Sequence, residues 1–165
     1  MKTNNRQSII AATNWLKTAQ DITKDDGVSG WFSLVSGWRA SYIETTGYII
    51  NTFFDLSEYF NDIELKERAI KMADFLLKMQ LPNGAFRVYT PKENSSEKVV
   101  VFDIGQDLLG VAQAYEVTRN KKYLNSAIRA AEFLLSIQEK DGSWIKHTYG
   151  ETKHTYHTRV AWGIL

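Results

Sequence analysis

The sequence predicts an all-α fold, a partial α/α toroid of helical hairpins with short β-hairpins in its rim loops. Three observations lead there: an internal repeat of 58 residues, a helix in each unit that is apolar on one face, and a second helix that is apolar almost all round. Ala73-Asp74-Phe75-Leu76-Leu77-Lys78-Met79-Gln80 matches Ala131-Glu132-Phe133-Leu134-Leu135-Ser136-Ile137-Gln138 at that offset, and Gly47, Gly105 and Gly163 keep the same spacing. Gly84-Ala85-Phe86 pairs with Gly142-Ser143-Trp144, and Asn14 to Gln20 is a third copy, two residues out of phase. Such a unit exceeds the ~34 residues of a plain helical-hairpin repeat and fits two helices plus a long connection.

The elements follow in order. An outer helix over 7–20 carries the third copy, and an inner helix over 46–60 is apolar around most of its circumference. An outer helix over 63–80 precedes a second inner helix over 104–118, rich in Leu, Val and Ala. The outer helix over 121–138 has Leu124, Ala127, Ile128, Ala131, Leu134 and Leu135 on one stripe, with Lys122, Asn125, Arg129 and Glu132 opposite. A third inner helix begins near 159. The outer-to-inner connections are long and hold strand signals: Trp144 to Tyr149 against Lys153 to Tyr156, and Phe86 to Tyr89 against Val99 to Val101. The inner-to-outer turns are short, so elaboration, and with it a site, is expected at the end where inner helices begin.

Composition narrows the classes. The chain has 165 residues, 44% of them apolar, enough for one domain with its own core. A formal charge of +1, spread along the chain, lacks the basic footprint of a nucleic-acid binder, so no nucleic-acid partner is expected. No stretch reads as a signal peptide or a membrane span, which gives the expectation of a cytoplasmic protein with no membrane partner. With no cysteine, thiol nucleophiles, thiolate zinc sites and disulfides are excluded for these residues. Aromatic residues reach 13%, a supply suited to stacking on sugar rings.

Arg129 to Trp144, with Phe133-Leu134, Gln138, Gly142 and Trp144, is similar to the QW repeat of the squalene and hopene cyclases, whose fold is an α/α barrel. The chain resembles the wider α/α-toroid superfamily of terpenoid cyclase-like and six-hairpin glycosidase-like barrels. The closest resemblance is to poorly characterised bacterial toroid proteins associated with polysaccharide genes. It is carried by Gly30-Trp31, Ile43 to Ile50, Val101 to Gln106 and Tyr156 to Trp162. That resemblance implies a ring about twice as long, with residues 1–165 as a single domain forming its N-terminal part.

Within the repeat signature, Gln80, Gln138, Gly84, Gly142, Phe86 and Trp144 read as structural spacers between stacked units. The candidate chemistry gathers at the inner-helix starts. Thr45 and Asp103 occupy equivalent positions and read as N-caps, Asp103 forming a capping box with Gln106. Glu44 has no such duty. Glu44, Asp103 and His157 are the candidate catalytic residues; Trp31, Trp38, Tyr42, Tyr48, Gln106, Tyr156 and Arg159 are the candidate substrate-binding set. Carboxylates on neighbouring helix starts, ~8 to 10 Å apart, approach the ~6.5 to 9.5 Å separation of an inverting glycoside hydrolase if Asp103 is free to act. His154-x-x-His157 lacks a flanking Asp and an HExxH pattern, so neither a metal nor another cofactor is expected.

Three classes of function remain. The first is a carbohydrate-active protein, a hydrolase, lyase or epimerase on a cell-surface or uronic saccharide. The second is a non-catalytic module binding a glycan or a protein. The third is an isoprenoid cyclase-like protein, against which stands the lack of a DxDD cluster. The apolar segment Val160 to Leu165 further leads to the expectation of a homodimer through an open carboxyl-terminal edge.

Overall fold

The computed structural model describes residues 5–88 and 97–165. It is all-α with one small hairpin: helices α1 (Asn5–Asp21), α2 (Ile43–Phe60), α3 (Ile63–Met79), α4 (Val101–Thr118), α5 (Lys121–Ser136) and α6 (Thr158–Ile164), and strands β1 (Phe32–Ser33) and β2 (Gly37–Trp38) between α1 and α2. Helices α2, α4 and α6 pack side by side in that order, α3 packs against α2 and α4, and α5 packs against α4. Among the described residues no helix is long and apolar enough to cross a membrane.

The repeat is visible in how helices stop and restart. Helix α2 ends on Asn61 and α4 on Arg119, both left-handed, and the next residue caps the following helix: Asp62 accepts from the Glu64 N–H and Asn120 from the Lys122 N–H. The core between the layers includes Ile43, Ile50, Phe53, Leu65, Met72, Leu76, Ile104, Tyr123 and Leu134, all buried. Phe86 and Trp144 belong to the same core, Trp144 donating from its indole to the Leu134 carbonyl at 2.9 Å.

Gly47 shows why the inner helices need glycine. A Cβ there would stand 2.8 Å from both the Asp107 carboxylate and the Gln106 carbonyl, so α2 and α4 meet backbone to backbone. Gly105 makes the equivalent approach to Val160, and Gly163 approaches the Gly105 carbonyl.

Several expectations require correction. Helices α2 and α4 begin at Ile43 and Val101, three residues earlier than their spacing suggested, so Thr45 and Asp103 are inside the first turn and cap nothing. The N-cap residues are Tyr42 and Val100, both extended and without side-chain caps. Packing replaces capping: Ile43 and Val101 are fully buried, and the Val101 N–H finds the His147 carbonyl at 2.8 Å. The expected strands at 144–149 and 153–156 are not formed. Gly150 and Glu151 both take positive φ, the Thr148 hydroxyl bonds to backbone carbonyls of Ile145 and Thr152, and 3-10 turns stand at Tyr149–Glu151 and Thr155–His157. In the second connection the Val88 N–H meets the Lys98 carbonyl at 2.9 Å, while the tip of the expected hairpin lies outside the described residues. The hairpin that forms, β1 with β2, is in the first connection, paired Phe32 with Trp38 and Ser33 with Gly37.

Candidate functional site

The first turns of the three inner helices place a set of polar side chains together. From α4, Asp103 is fully buried and accepts from the Tyr42 hydroxyl at 2.9 Å; that hydroxyl also lies 3.3 Å from the hydroxyl of Tyr149. From α6, Arg159 donates from Nε to Gln106 Oε1 at 2.7 Å, and its guanidinium lies over the rings of Tyr48, on α2, and Trp162. Gln106 is oriented by a second bond, from its amide to the Phe102 carbonyl at 3.2 Å. Glu44, half-buried, stands one turn before Tyr48 on α2, and its charge is felt by Tyr48, Asp103 and Asp107.

Burial dominates the electrostatics. It raises Asp103 to about 7; the Glu44 charge adds to the rise, while the Tyr42 hydrogen bond and Lys98 oppose it. Asp103 therefore holds its proton for much of the time near neutral pH. Asp107, one turn further on, is pushed well above the usual carboxylate range by burial and then by the charges of Asp103 and Glu44; neither of its oxygens has a hydrogen-bond partner among the described residues. Glu44 is raised by burial. Tyr42 and Tyr48 are both raised, burial being the largest cause in each; Tyr42 is held further by its Tyr149 and Asp103 contacts, and Tyr48 is pulled back by Arg159.

The remaining expected residues lie elsewhere. His157 is buried against Trp144, His154 and Tyr156, both ring nitrogens lack hydrogen-bond partners among the described residues, and burial followed by the His154 charge lowers its pKa. With Trp144, His154 and Asp141 it lines a separate pocket. Tyr156 packs edge-on against Phe102 and stacks on His154. Trp31 is exposed under the Arg39 guanidinium, and Trp38 packs with Trp15 and Phe32 on the hairpin. Sequence reasoning missed Asp107 and Tyr149. Asp107 is four residues after Asp103, hence on the same helical face, a signal hidden by its apolar surroundings. Tyr149 is brought in by the fold of its connection.

The set offers a cation backed by aromatic faces, a half-exposed carboxylate and a phenol hydrogen-bonded to a buried carboxyl. These are groups that bind an anion and move a proton. Among the described residues no group of three or more His, Cys, Asp or Glu converges to hold a metal ion.

Residues 103–163 match the family model of pectic acid lyase. The match begins at Asp103, ends just beyond Trp162 and so contains Gln106, Asp107, Tyr149 and Arg159. It supports a carbohydrate-related family and a coarse relation to polysaccharide lyases. No curated protein and no solved structure gives a significant match to this chain.

Proposed function

We propose that the starts of α2, α4 and α6 bind an acidic polysaccharide and cleave it as a lyase. The observation that carries this reading is that the segment similar to pectic acid lyase holds Arg159, paired with Gln106, over the Tyr48 ring and holds Asp103 within reach of the Glu44 charge. In this reading Arg159 pairs with the uronate carboxylate, which stabilises the charge that develops there when the neighbouring C–H bond breaks. Glu44, its pKa raised by burial, accepts that proton. The freed electron pair forms a carbon–carbon double bond as the glycosidic C–O bond breaks. The departing oxygen takes a proton from Tyr42, which Asp103 holds in place.

Incubation with polygalacturonate tests the reading, because the unsaturated product absorbs in the ultraviolet whereas a hydrolysis product does not. Absorbance should rise with time, and Glu44→Gln should lower turnover by ~10²-fold or more, within the range of general-base contributions. Binding without any unsaturated product, with this or other uronate polymers, would instead support the glycan-binding module. Neither binding nor product would remove the proposal.

A further inference from the structure

The three helix-ending glutamines form a series whose last member is half used. Gln20, at the end of α1, donates from Nε2 to the Asp26 carbonyl of its own turn and to the Arg68 carbonyl on α3. Gln80 repeats this with Gly84 of its turn and Ser126 on α5, both at 2.9 Å. Arg68 and Ser126 are one repeat apart, so each glutamine clamps the next outer helix at the same point. Gln138 makes the turn bond, to the Gly142 carbonyl at 2.9 Å, and no second bond among the described residues.

The surroundings repeat the contrast. A Cβ on Gly84 would stand 2.2 Å from the Arg129 carbonyl, because α5 lies directly on that turn. Gly142 has nearly the same φ, 85° against 95°, and among the described residues a Cβ there would meet nothing within 4 Å. Ile70 and Leu77 on α3 pack against the core, whereas their repeat equivalents on α5, Ile128 and Leu135, are 47% and 53% exposed. The third turn thus has the shape and hydrogen-bond donor of a helix seat.

The same chain carries an exposed face that fits it, on which Trp15 also touches Phe32 and Trp38 of its own hairpin. Aligning Gln20 with Gln80 places Ser8 of α1 at the position of Arg68 and Ser126, Ala11 at that of Arg129, and Trp15 at that of Phe75 and Phe133. All three are exposed, and α1 buries only Thr13, Ala19 and Gln20. We propose that α1 of a second copy docks on the Gln138–Gly142 turn of the first, the Ser8 carbonyl accepting from Gln138 Nε2 and the small Ala11 lying over Gly142. The contact is heterologous, joining unlike edges head to tail, and it repeats the joint already made twice within each chain.

Sedimentation velocity of the 165-residue chain over on the order of 1 to 100 µM tests this. The wild type should move from 18.9 kDa toward at least twice that mass as concentration rises. Ala11→Glu, an acid where the two joints within the chain carry Lys71 and Arg129, and Leu135→Glu, beside the seat, alter exposed side chains and should each hold the protein at the single-chain mass, with helicity checked by circular dichroism. Mixing the two variants should restore association, since each keeps one intact half of the joint. Ile128→Lys replaces Leu135→Glu if that variant loses helicity. A wild type that stays monomeric throughout, a variant that associates like the wild type, or a mixture that stays monomeric overturns the proposal.

Discussion

Replacing Asp103 by asparagine should make the protein more stable near neutral pH and should flatten the pH dependence of its stability. The side chain is fully buried, its Oδ2 is paired with Tyr42, and its Oδ1 has no partner among the described residues. Raising its pKa from 3.8 to about 7 corresponds to a cost of ~4 kcal/mol for keeping the ionised form folded, at ~1.4 kcal/mol per unit. The sign follows from proton counting. Above 3.8 the unfolded chain releases this proton while the folded one keeps it, so stability falls as pH rises and levels off above about 7. Asparagine has nearly the same shape, retains an oxygen for the Tyr42 hydroxyl and has no charge to desolvate. The gain at pH 7 should be ~2 to 4 kcal/mol, or roughly 4 to 16 °C in Tm for a chain of this size. Urea denaturation of both proteins at a series of pH values between about 4 and 8 measures it. The difference between them should be small at the acid end and widen toward neutrality. A difference that does not change with pH would refute the assignment of a protonated, buried Asp103.

Other perturbations bear on the frame and on the site. Gly47→Ala places a methyl group against the α4 backbone and the Asp107 carboxylate, and should cost ~1 to 3 kcal/mol in urea denaturation, as overpacked cores do. Gln80→Ala breaks bonds to both Gly84 and Ser126 and should cost ~1 to 3 kcal/mol, whereas Gln138→Ala, losing one exposed bond, should cost under ~1 kcal/mol. Equal losses would contradict the clamp. Arg159→Ala should weaken binding of oligogalacturonate, read by calorimetry, more than binding of a neutral oligosaccharide of equal length; equal losses for both would deny Arg159 a role in charge recognition.

What could be read from the sequence divides along physical lines. Helix order was legible because amphipathic periodicity survives in one dimension, and the glutamine, glycine and aromatic spacers were legible because they repeat. Helix starts were not, because Ile43 and Val101 are held by burial and by a distant carbonyl in place of a neighbouring cap. The 144–156 connection alternates like a hairpin, yet positive φ at Gly150 and Glu151 and the Thr148 hydroxyl turn it into successive 3-10 turns. For the candidate site, the offset of 58 aligned Glu44, Tyr48, Asp103 and Gln106 on one rim, and Arg159 followed from its position on the third inner helix. His157 precedes that same helix, but its ring turns toward Trp144, a choice of side-chain direction that residue spacing does not encode.

Under the proposed function, the backbone contacts at Gly47, Gly105 and Gly163 have a consequence for how a ligand is accommodated. Glu44 is three residues before the first of these contacts and Asp103 two before the second, so both carboxylates are anchored within a turn of points where neighbouring helices already touch. Helices in such contact cannot close further around a guest, and drawing them apart would open voids in a packed core. The rim is therefore a fixed gauge along the direction that joins α2, α4 and α6. Adjustment to ligands of different girth falls to the segments that arch over it, above all the Tyr149 turn, whose hydroxyl reaches Tyr42 from an exposed 3-10 turn. Two such proteins with identical helices and different arches would share a bite width and differ in which chains they admit.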